Sequence, residues 1–156
     1  MDRMRESVFA CLGELSGLSF LDIFTGSGII ALEAASRGAA PVEAVEQDKV
    51  KRKTLLDNVS IAPARIDCHF MPAELYVKRA KNSFDIIFLD PPFPYPYKWE
   101  LTANIAASAL VSDGSRILIH RPRDDYQKKE IQYLLKKDNR EYGRSVVDFF
   151  EVKKPG

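Results

Sequence analysis

The sequence has few cysteines and histidines, and this scarcity restricts the chemistry available to it. Its 156 residues include two cysteines, Cys11 and Cys68, and two histidines, His69 and His120. The cysteines form no CxxC pair and both stand in apolar surroundings, so we expect buried, reduced thiols. No cluster of further ligands surrounds the histidines, so we expect no metal site.

Long apolar runs and an excess of charge of one sign are also lacking. No run approaches the roughly 18 apolar residues that a membrane-spanning helix needs. The charged residues 1–6 are followed by no apolar region of the kind found in signal peptides, so we expect a cytoplasmic protein that is not bound to a membrane. The formal net charge is only +1, so a nucleic-acid-binding surface would have to be a local patch.

Strand-like and helix-like segments alternate along the chain, with no repeat or Gly/Ser linker. Predicted strands cover residues 18–24, 41–46, 65–70, 84–90, 116–120, 139–142 and 145–153, and predicted helices cover residues 3–15, 29–37, 48–59, 72–81, 98–110 and 124–137. This order predicts an α/β fold with a doubly wound, mostly parallel seven-stranded sheet that ends in an antiparallel hairpin. We expect residues 1–156 to form one domain, with an N-terminal helix of residues 1–16 packed on it.

A glycine-rich loop follows the first predicted strand. Residues 22–31, Asp-Ile-Phe-Thr-Gly-Ser-Gly-Ile-Ile-Ala, carry the motif GxGxxA between a strand and a helix, and this arrangement favours a nucleotide cofactor. Glu46 ends the next strand, where an acid binds ribose hydroxyls in dinucleotide folds. The loop itself fits both NAD and S-adenosylmethionine. Asp22 favours the latter, because a carboxylate would repel a pyrophosphate but suits an amino group and a sulfonium.

The tetrapeptide Asp90-Pro91-Pro92-Phe93 follows the nearly all-apolar fourth strand. Its two prolines fix the backbone and remove two N–H donors, so carbonyl oxygens are free to accept hydrogen bonds from a ligand. Asp90 and the Pro91 carbonyl could hold both hydrogens of an exocyclic base amine, while Phe93 stacks on the extruded base. The segment therefore predicts methyl transfer to an amino nitrogen, by positioning and in-line attack.

Two other groups of side chains have a functional and a structural interpretation of similar weight. Tyr95 and Tyr97 could stack on flanking nucleotides or cover the edge of the core. Arg3 and Arg5, on the first helix, could contact RNA or be solvated surface residues.

Several blocks resemble the RsmD-type small-subunit (16S) rRNA guanine-N2 methyltransferases. The similar segments are residues 2–9 (Asp-Arg-Met-Arg-Glu-Ser-Val-Phe), 21–28, 32–39, 45–48 and 84–93, together with Asn58 and Tyr142-Gly143. The resemblance implies a class I, Rossmann-like methyltransferase fold, S-adenosylmethionine as methyl donor, and a guanine N2 in small-subunit rRNA or an assembling small subunit as acceptor. A monomer is expected.

The glycine loop, the Asp-Pro-Pro-Phe segment, the tyrosines and arginines just described, and the resemblance together give the candidate site residues. Cofactor contacts are expected at Asp22, Phe24, Thr25, Gly26, Ser27, Gly28, Glu46, Gln47 and Ala73, catalytic contacts at Asp90, Pro91, Pro92 and Phe93, and RNA contacts at Arg3, Arg5, Tyr95 and Tyr97.

The sequence departs from that family at three places. A basic stretch usually precedes the block at residues 2–9, whereas this chain starts at the block. An acid common after the third strand is replaced by Pro72-Ala73, so an adenine contact there would use the backbone, with Glu74 a shifted candidate. An acid that tends to follow the fifth strand is replaced by His120-Arg121.

Two other functions fit the same motifs. One is an amino-methyltransferase that acts on adenine N6 in DNA or on a protein amide. The other is a Rossmann module that binds the cofactor but does not methylate RNA.

Overall fold

The computed structural model describes residues 2–155, which form an α/β fold around one sheet. Its helices and strands, in chain order, are α1 (Asp2–Leu12), β1 (Phe20–Ile23), α2 (Ile29–Ser36), β2 (Val42–Val45), a 3-10 helix (Lys49–Lys51), α3 (Arg52–Val59), β3 (Ile66–His69), α4 (Ala73–Arg79), β4 (Ile86–Leu89), α5 (Lys98–Ala106), β5 (Arg116–Pro122), β6 (Leu134–Tyr142) and β7 (Ser145–Val152). Among residues 2–155, no helix combines the length and the apolar character needed to cross a bilayer.

The sheet has seven strands in the order β3-β2-β1-β4-β5-β7-β6. The first five are parallel, and β7 pairs antiparallel with both β5 and β6. The predicted doubly wound, seven-stranded sheet with its C-terminal hairpin is therefore confirmed. The strand order reverses between β1 and β4, and ligands of such sheets bind at that point, beyond the carboxyl ends of the strands.

The two faces of the sheet are covered by different helices, which makes two apolar clusters. α1 and α2 pack on one face and α4 and α5 on the other. Side chains of β1 alternate between them, since Phe20 belongs to the first cluster and Leu21 to the second. Burial on both faces explains why β1 and β4 are so apolar.

The first helix is fixed to the sheet by polar contacts as well as by burial. The Tyr142 hydroxyl donates to Ser7 Oγ at 2.6 Å, and Arg116 Nη1 donates to the Leu12 carbonyl at 3.2 Å. α1 ends earlier than predicted, because Gly13 adopts a φ of 75° that a helix does not continue. The expected burial of both cysteines is wrong for Cys11, which is exposed, while Cys68 is half-buried.

The helix predicted for residues 124–137 is wrong. Tyr133 has a φ of 72°, outside the helical region, and β6 begins at the next residue. β6 pairs with β7 along its whole length, with one register shift between Lys136 and Asp138. The backbone hydrogen bonds of this ladder therefore outweigh the helical propensity of the lysine-rich segment.

Candidate active site

A cleft of about 540 Å³ lies beyond the carboxyl ends of the central strands. The register aligns the ends of these strands, because Ile23 is paired with both Val45 and Leu89, and Leu89 is paired with Ile119. The residues that follow the carboxyl ends of these strands therefore lie next to one another. The cleft is lined by Asp2, Met4, Arg5, Phe24, Thr25, Gly26, Ser27, Ile29, Ile30, Glu46, Lys51, Asp90, Pro91, Pro92, Phe93 and His120.

The glycine loop between β1 and α2 depends on backbone conformations that favour glycine. Gly28, the N-cap of α2, has a φ of 84°, and a Cβ there would lie 2.6 Å from Leu55 Cδ1. Gly26 has a φ of 60°, and a Cβ on it would meet nothing within 4 Å, because this residue borders the cleft. Gly28 therefore lets α2 pack on α3, and Gly26 leaves room for a ligand.

Glu46 connects the glycine loop to the end of β2. Its Oε1 accepts a hydrogen bond from the Gly26 N–H, and its Oε2 accepts one from the Asp48 N–H, each at 2.8 Å. The side chain is only 8% exposed, yet it lines the cleft. Each carboxylate oxygen retains a second lone pair, so Glu46 can still accept hydrogen bonds from a ligand's hydroxyl groups.

Asp22 lies behind the glycine loop, outside the cleft lining. It is 1% exposed, and its Oδ2 accepts a hydrogen bond from the Thr25 hydroxyl at 2.6 Å. Burial, reinforced by the nearby Asp90 and Glu46 carboxylates, raises the pKa of Asp22 from its ordinary 3.8 to about 7. In this position Asp22 fixes the turn through Thr25 and does not border the cleft.

We expect the buried Asp22 to make the protein less stable as the pH rises. Its folded-state pKa lies above its unfolded value, so the folded state binds more protons between about pH 4 and pH 7. The free energy of unfolding should therefore fall through this range, with a slope of up to ~1.4 kcal/mol per pH unit.

Urea unfolding from pH 4 to pH 8 should show this slope, and Asp22→Asn should remove it. Asp57→Asn, at an exposed helix position, is the control and should leave the slope unchanged. A slope that survives in Asp22→Asn would contradict the assignment.

The Asp90 carboxylate lies at the end of β4, beside the fifth strand. Its Oδ1 is 2.9 Å from His120 Nδ1, and no residue of the 2–155 range makes a hydrogen bond to its Oδ2. Phe93 is 46% exposed, with its ring edge-on to the imidazole at a centroid distance of 5.6 Å. The site thus presents a carboxylate oxygen and an exposed aromatic ring at the same end of the cleft.

The loop that follows is held in place by a buried lysine. Lys98 is 2% exposed, and its Nζ donates to the Tyr95 carbonyl at 2.8 Å and pairs with the Asp125 carboxylate. The Tyr95 hydroxyl donates to Glu74, and its ring packs on Phe24 at 5.2 Å. Tyr95 therefore supports the loop rather than offering a free stacking face.

The remaining sequence-predicted residues have different surroundings. Gln47 is exposed and Ala73 is buried at the start of α4, both outside the cleft lining. Arg5 lines the cleft and pairs with Asp2 at 3.4 Å and Glu33 at 3.7 Å. Arg3 and Tyr97 are exposed, and neither is part of the cleft lining.

Sequence reasoning missed His120 and Lys51 as cleft residues. His120 could have been found from its place at the end of the fifth strand, next to Asp90 in a parallel sheet. Lys51 gives no such signal, because a lysine near a helix start is most simply a solvated residue. No group of three or more His, Cys, Asp or Glu side chains in residues 2–155 is arranged to hold a metal ion.

Comparison with known proteins gives a consistent set of relatives. The family model described as Conserved hypothetical protein 95 matches residues 1–151. The ribosomal RNA small subunit methyltransferase D of Haemophilus influenzae is 35% identical over 133 residues, which cover 79% of this chain and 67% of that protein. The tRNA1(Val) (adenine(37)-N6)-methyltransferase of Cytophaga hutchinsonii is 35% identical over 80 residues, or 50% of this chain and 34% of that protein.

The fold of this chain resembles that of solved structures over nearly its whole length. The yhhF protein of Escherichia coli, described as a candidate methyltransferase, has a TM-score of 0.90 at 22% identity, and the match covers 99% of this chain and 89% of that chain. At this identity the likeness concerns the fold, which is that of the class I methyltransferases.

Proposed function

The chain belongs to the family described as Conserved hypothetical protein 95, the RsmD family, and we propose that it methylates the exocyclic N2 of a guanine in small-subunit rRNA. The family makes the chain a methyltransferase that uses S-adenosylmethionine, while the base and its nitrogen are our inference. One observation carries the proposal: the Asp90 carboxylate borders the same cleft as the glycine loop and Glu46. We further propose that it acts as a cytoplasmic monomer.

The cleft fits S-adenosylmethionine, which supplies an electrophilic methyl group when bound. Glu46 would accept hydrogen bonds from the ribose hydroxyls, and the open side of Gly26 would let the backbone approach the ligand. The N-terminus of α2 would interact favourably with the ligand's carboxylate, because its N-cap, Gly28, has no side chain to accept hydrogen bonds from the first helical turn. The exposed Ile29 and the Phe24 ring give the cleft apolar surface.

Asp90 and its neighbours would act on the substrate amine by positioning. The lone pair of an aromatic amine is delocalised into the ring, so a planar amine is a poor nucleophile. Asp90 Oδ2 and the Pro91 carbonyl would each accept one N–H, favouring a pyramidal nitrogen with its lone pair directed at the methyl group. Phe93 would stack on the extruded base. The rigid proline pair, with Pro92 exposed, would hold the Asp90 carboxylate and the Phe93 ring in fixed positions relative to each other.

We expect Glu46→Ala to weaken S-adenosylmethionine binding by about tenfold to a hundredfold, since a hydrogen bond to a charged group contributes about 1.5–3 kcal/mol. Glu46→Gln should weaken it less, because the amide keeps one acceptor. Titration calorimetry with S-adenosylmethionine and its demethylated product measures both. Glu130→Ala, at an exposed acid before β6, is the control. Tight NAD binding with no response to the methyl donor would contradict the assignment.

RNA should bind with a marked salt dependence despite the small net charge. If Arg3 and its neighbours neutralise about three phosphates, log K should fall with log salt at a slope of about −2 to −3. Arg3→Ala should reduce that slope by close to one unit. Lys81→Ala is the matched control, because Lys81 is exposed in the loop that leads into the amino end of β4 and is not part of the cleft lining. Equal slopes for both variants would remove Arg3 from the RNA surface.

The substrate class is tested by transfer of a labelled methyl group to rRNA, tRNA, DNA and protein. Labelling of rRNA at guanine N2, identified by nucleoside mass spectrometry, is the expected result. The similarity to the tRNA1(Val) enzyme favours adenine N6 of an RNA as the second candidate. Preferential labelling of adenine would replace the proposal by that alternative.

A further inference from the structure

His120 is a buried polar side chain in the wall of the cleft. It is 4% exposed and is adjacent to Asp90 across the sheet, because Leu89 and Ile119 are paired in the parallel register of β4 and β5. The neighbouring Arg121 points to the other face, where it pairs with Asp148. Of these two residues, only His120 is therefore directed at the end of the cleft where Asp90 and Phe93 lie.

Both ring nitrogens of His120 have partners. Nδ1 lies 2.9 Å from Asp90 Oδ1, and Nε2 lies 2.8 Å from Ser145 Oγ. An ionised carboxylate only accepts hydrogen bonds, so Nδ1 carries a proton and its N–H donates a hydrogen bond to Asp90. In the neutral ring Nε2 then accepts from the Ser145 hydroxyl. In the charged ring Nε2 donates to Ser145, whose hydroxyl can donate to the Tyr142 carbonyl at 3.2 Å.

The contact to Asp90 is therefore present in either charge state of the ring. Ser145 starts β7, whose pairing with β5 fixes it opposite Pro122, so the serine anchors the imidazole to the sheet. The Phe93 ring packs edge-on against the same imidazole. His120 is thus held from two sides while one of its N–H groups holds the carboxylate.

We propose that His120 is the positioning residue for Asp90, an inference that rests on the methyl transfer proposed above. Its Nδ1–H binds Oδ1 and restricts rotation of the carboxylate, so that Oδ2 is presented to the amine of the base. His120 lies near the carboxyl end of β5, and from there its side chain orients the carboxylate that follows β4.

An imidazole spectrum tests the contact without any turnover. The chain has two histidines, so ¹⁵N-labelled histidine gives two sets of ring signals, and His69→Gln assigns them. We expect the neutral ring of His120 to be protonated at Nδ1, and we expect Asp90→Ala to abolish that preference. A neutral ring protonated at Nε2 in the wild-type protein would overturn the proposal.

Kinetics test the positioning role. We expect His120→Leu to lower kcat by about tenfold or more, since small displacements of a reacting group can cost up to 10²-fold. KM for RNA and the affinity for S-adenosylmethionine should change less than threefold. His120→Asn should recover most of the lost kcat, because its amide nitrogen occupies nearly the place of Nδ1. Ser145→Ala should lower kcat by only about threefold, because the Nδ1–H contact to Asp90 remains.

The outcomes separate the two proposals. Equal kcat in folded His120→Leu and wild-type protein, or equal loss in the leucine and asparagine variants, would overturn the role of His120. Wild-type protein that does not label rRNA at guanine N2 overturns the proposed function, and the imidazole spectrum then decides the Asp90 contact by itself.

Discussion

Replacing Asp90 by alanine is expected to lower kcat by on the order of a hundredfold or more, while the affinity for S-adenosylmethionine stays nearly unchanged. The reason is that positive charge develops on the amine nitrogen as its bond to the methyl group forms. A carboxylate that accepts a hydrogen bond from this nitrogen therefore interacts with it more strongly in the transition state than in the ground state. Removing the carboxylate raises the energy of the transition state. Single-turnover kinetics with labelled methyl donor, together with calorimetry, measure the two quantities separately.

The comparison variants distinguish catalysis from folding. Asp90→Asn should be milder than Asp90→Ala, because the amide keeps an acceptor and loses the charge. Phe93→Ala should mainly raise KM for RNA, through the loss of roughly 1–3 kcal/mol of stacking. Asp124→Ala, at an exposed position of the loop before β6, is the control. If Asp90 served only the turn after β4, its removal would reduce stability and leave the turnover of the folded fraction intact.

The sequence is sufficient to predict the parallel part of the sheet and which strand ends border the cleft. β1 and β4 are buried on both faces, so their apolar runs and the glycine and proline breaks after them mark the strands clearly. The carboxyl ends of parallel strands meet at one edge, so Glu46 and Asp90 could be placed near the glycine loop before any coordinates. The alignment of strand ends does not account for the cofactor contacts predicted at Gln47 and Ala73. Both residues lie outside the cleft lining.

The C-terminal third could be predicted only in part, because its structure depends on distant contacts. β6 is an exposed edge strand whose charged residues have no alternating pattern, so only pairing with β7 distinguishes it from a helix. The loop before it is fixed by the Lys98–Asp125 pair, which joins residues 27 positions apart. The Asp90–His120–Ser145 contacts likewise join three separate strand ends, and no local pattern indicates them.

Replacing Arg121 by methionine should have the largest effect on stability. Asp148 is 0% exposed, and its carboxylate accepts from Arg121 Nε at 2.6 Å and from Nη2 at 3.2 Å. Without the guanidinium, the one charged partner that Asp148 keeps among residues 2–155 is the partly exposed Lys136, at 3.0 Å. Removing one partner of a buried ion pair costs about 3–5 kcal/mol, because the other charge stays desolvated. Urea unfolding of Arg121→Met should show a loss in this range.

The double variant Arg121→Met/Asp148→Leu tests this explanation, because it removes the charge that Arg121→Met leaves without its main partner. An apolar pair of similar volume is often as stable as the ion pair it replaces, so the double variant should recover most of the lost stability. Lys136→Met should cost less than about 1 kcal/mol, since its ammonium is partly solvated. The Nη1 group of Arg121 also donates to the carbonyls of Pro122 and Arg123. If the single and double variants lost equal stability, these backbone bonds rather than the buried charge would be what Arg121 contributes.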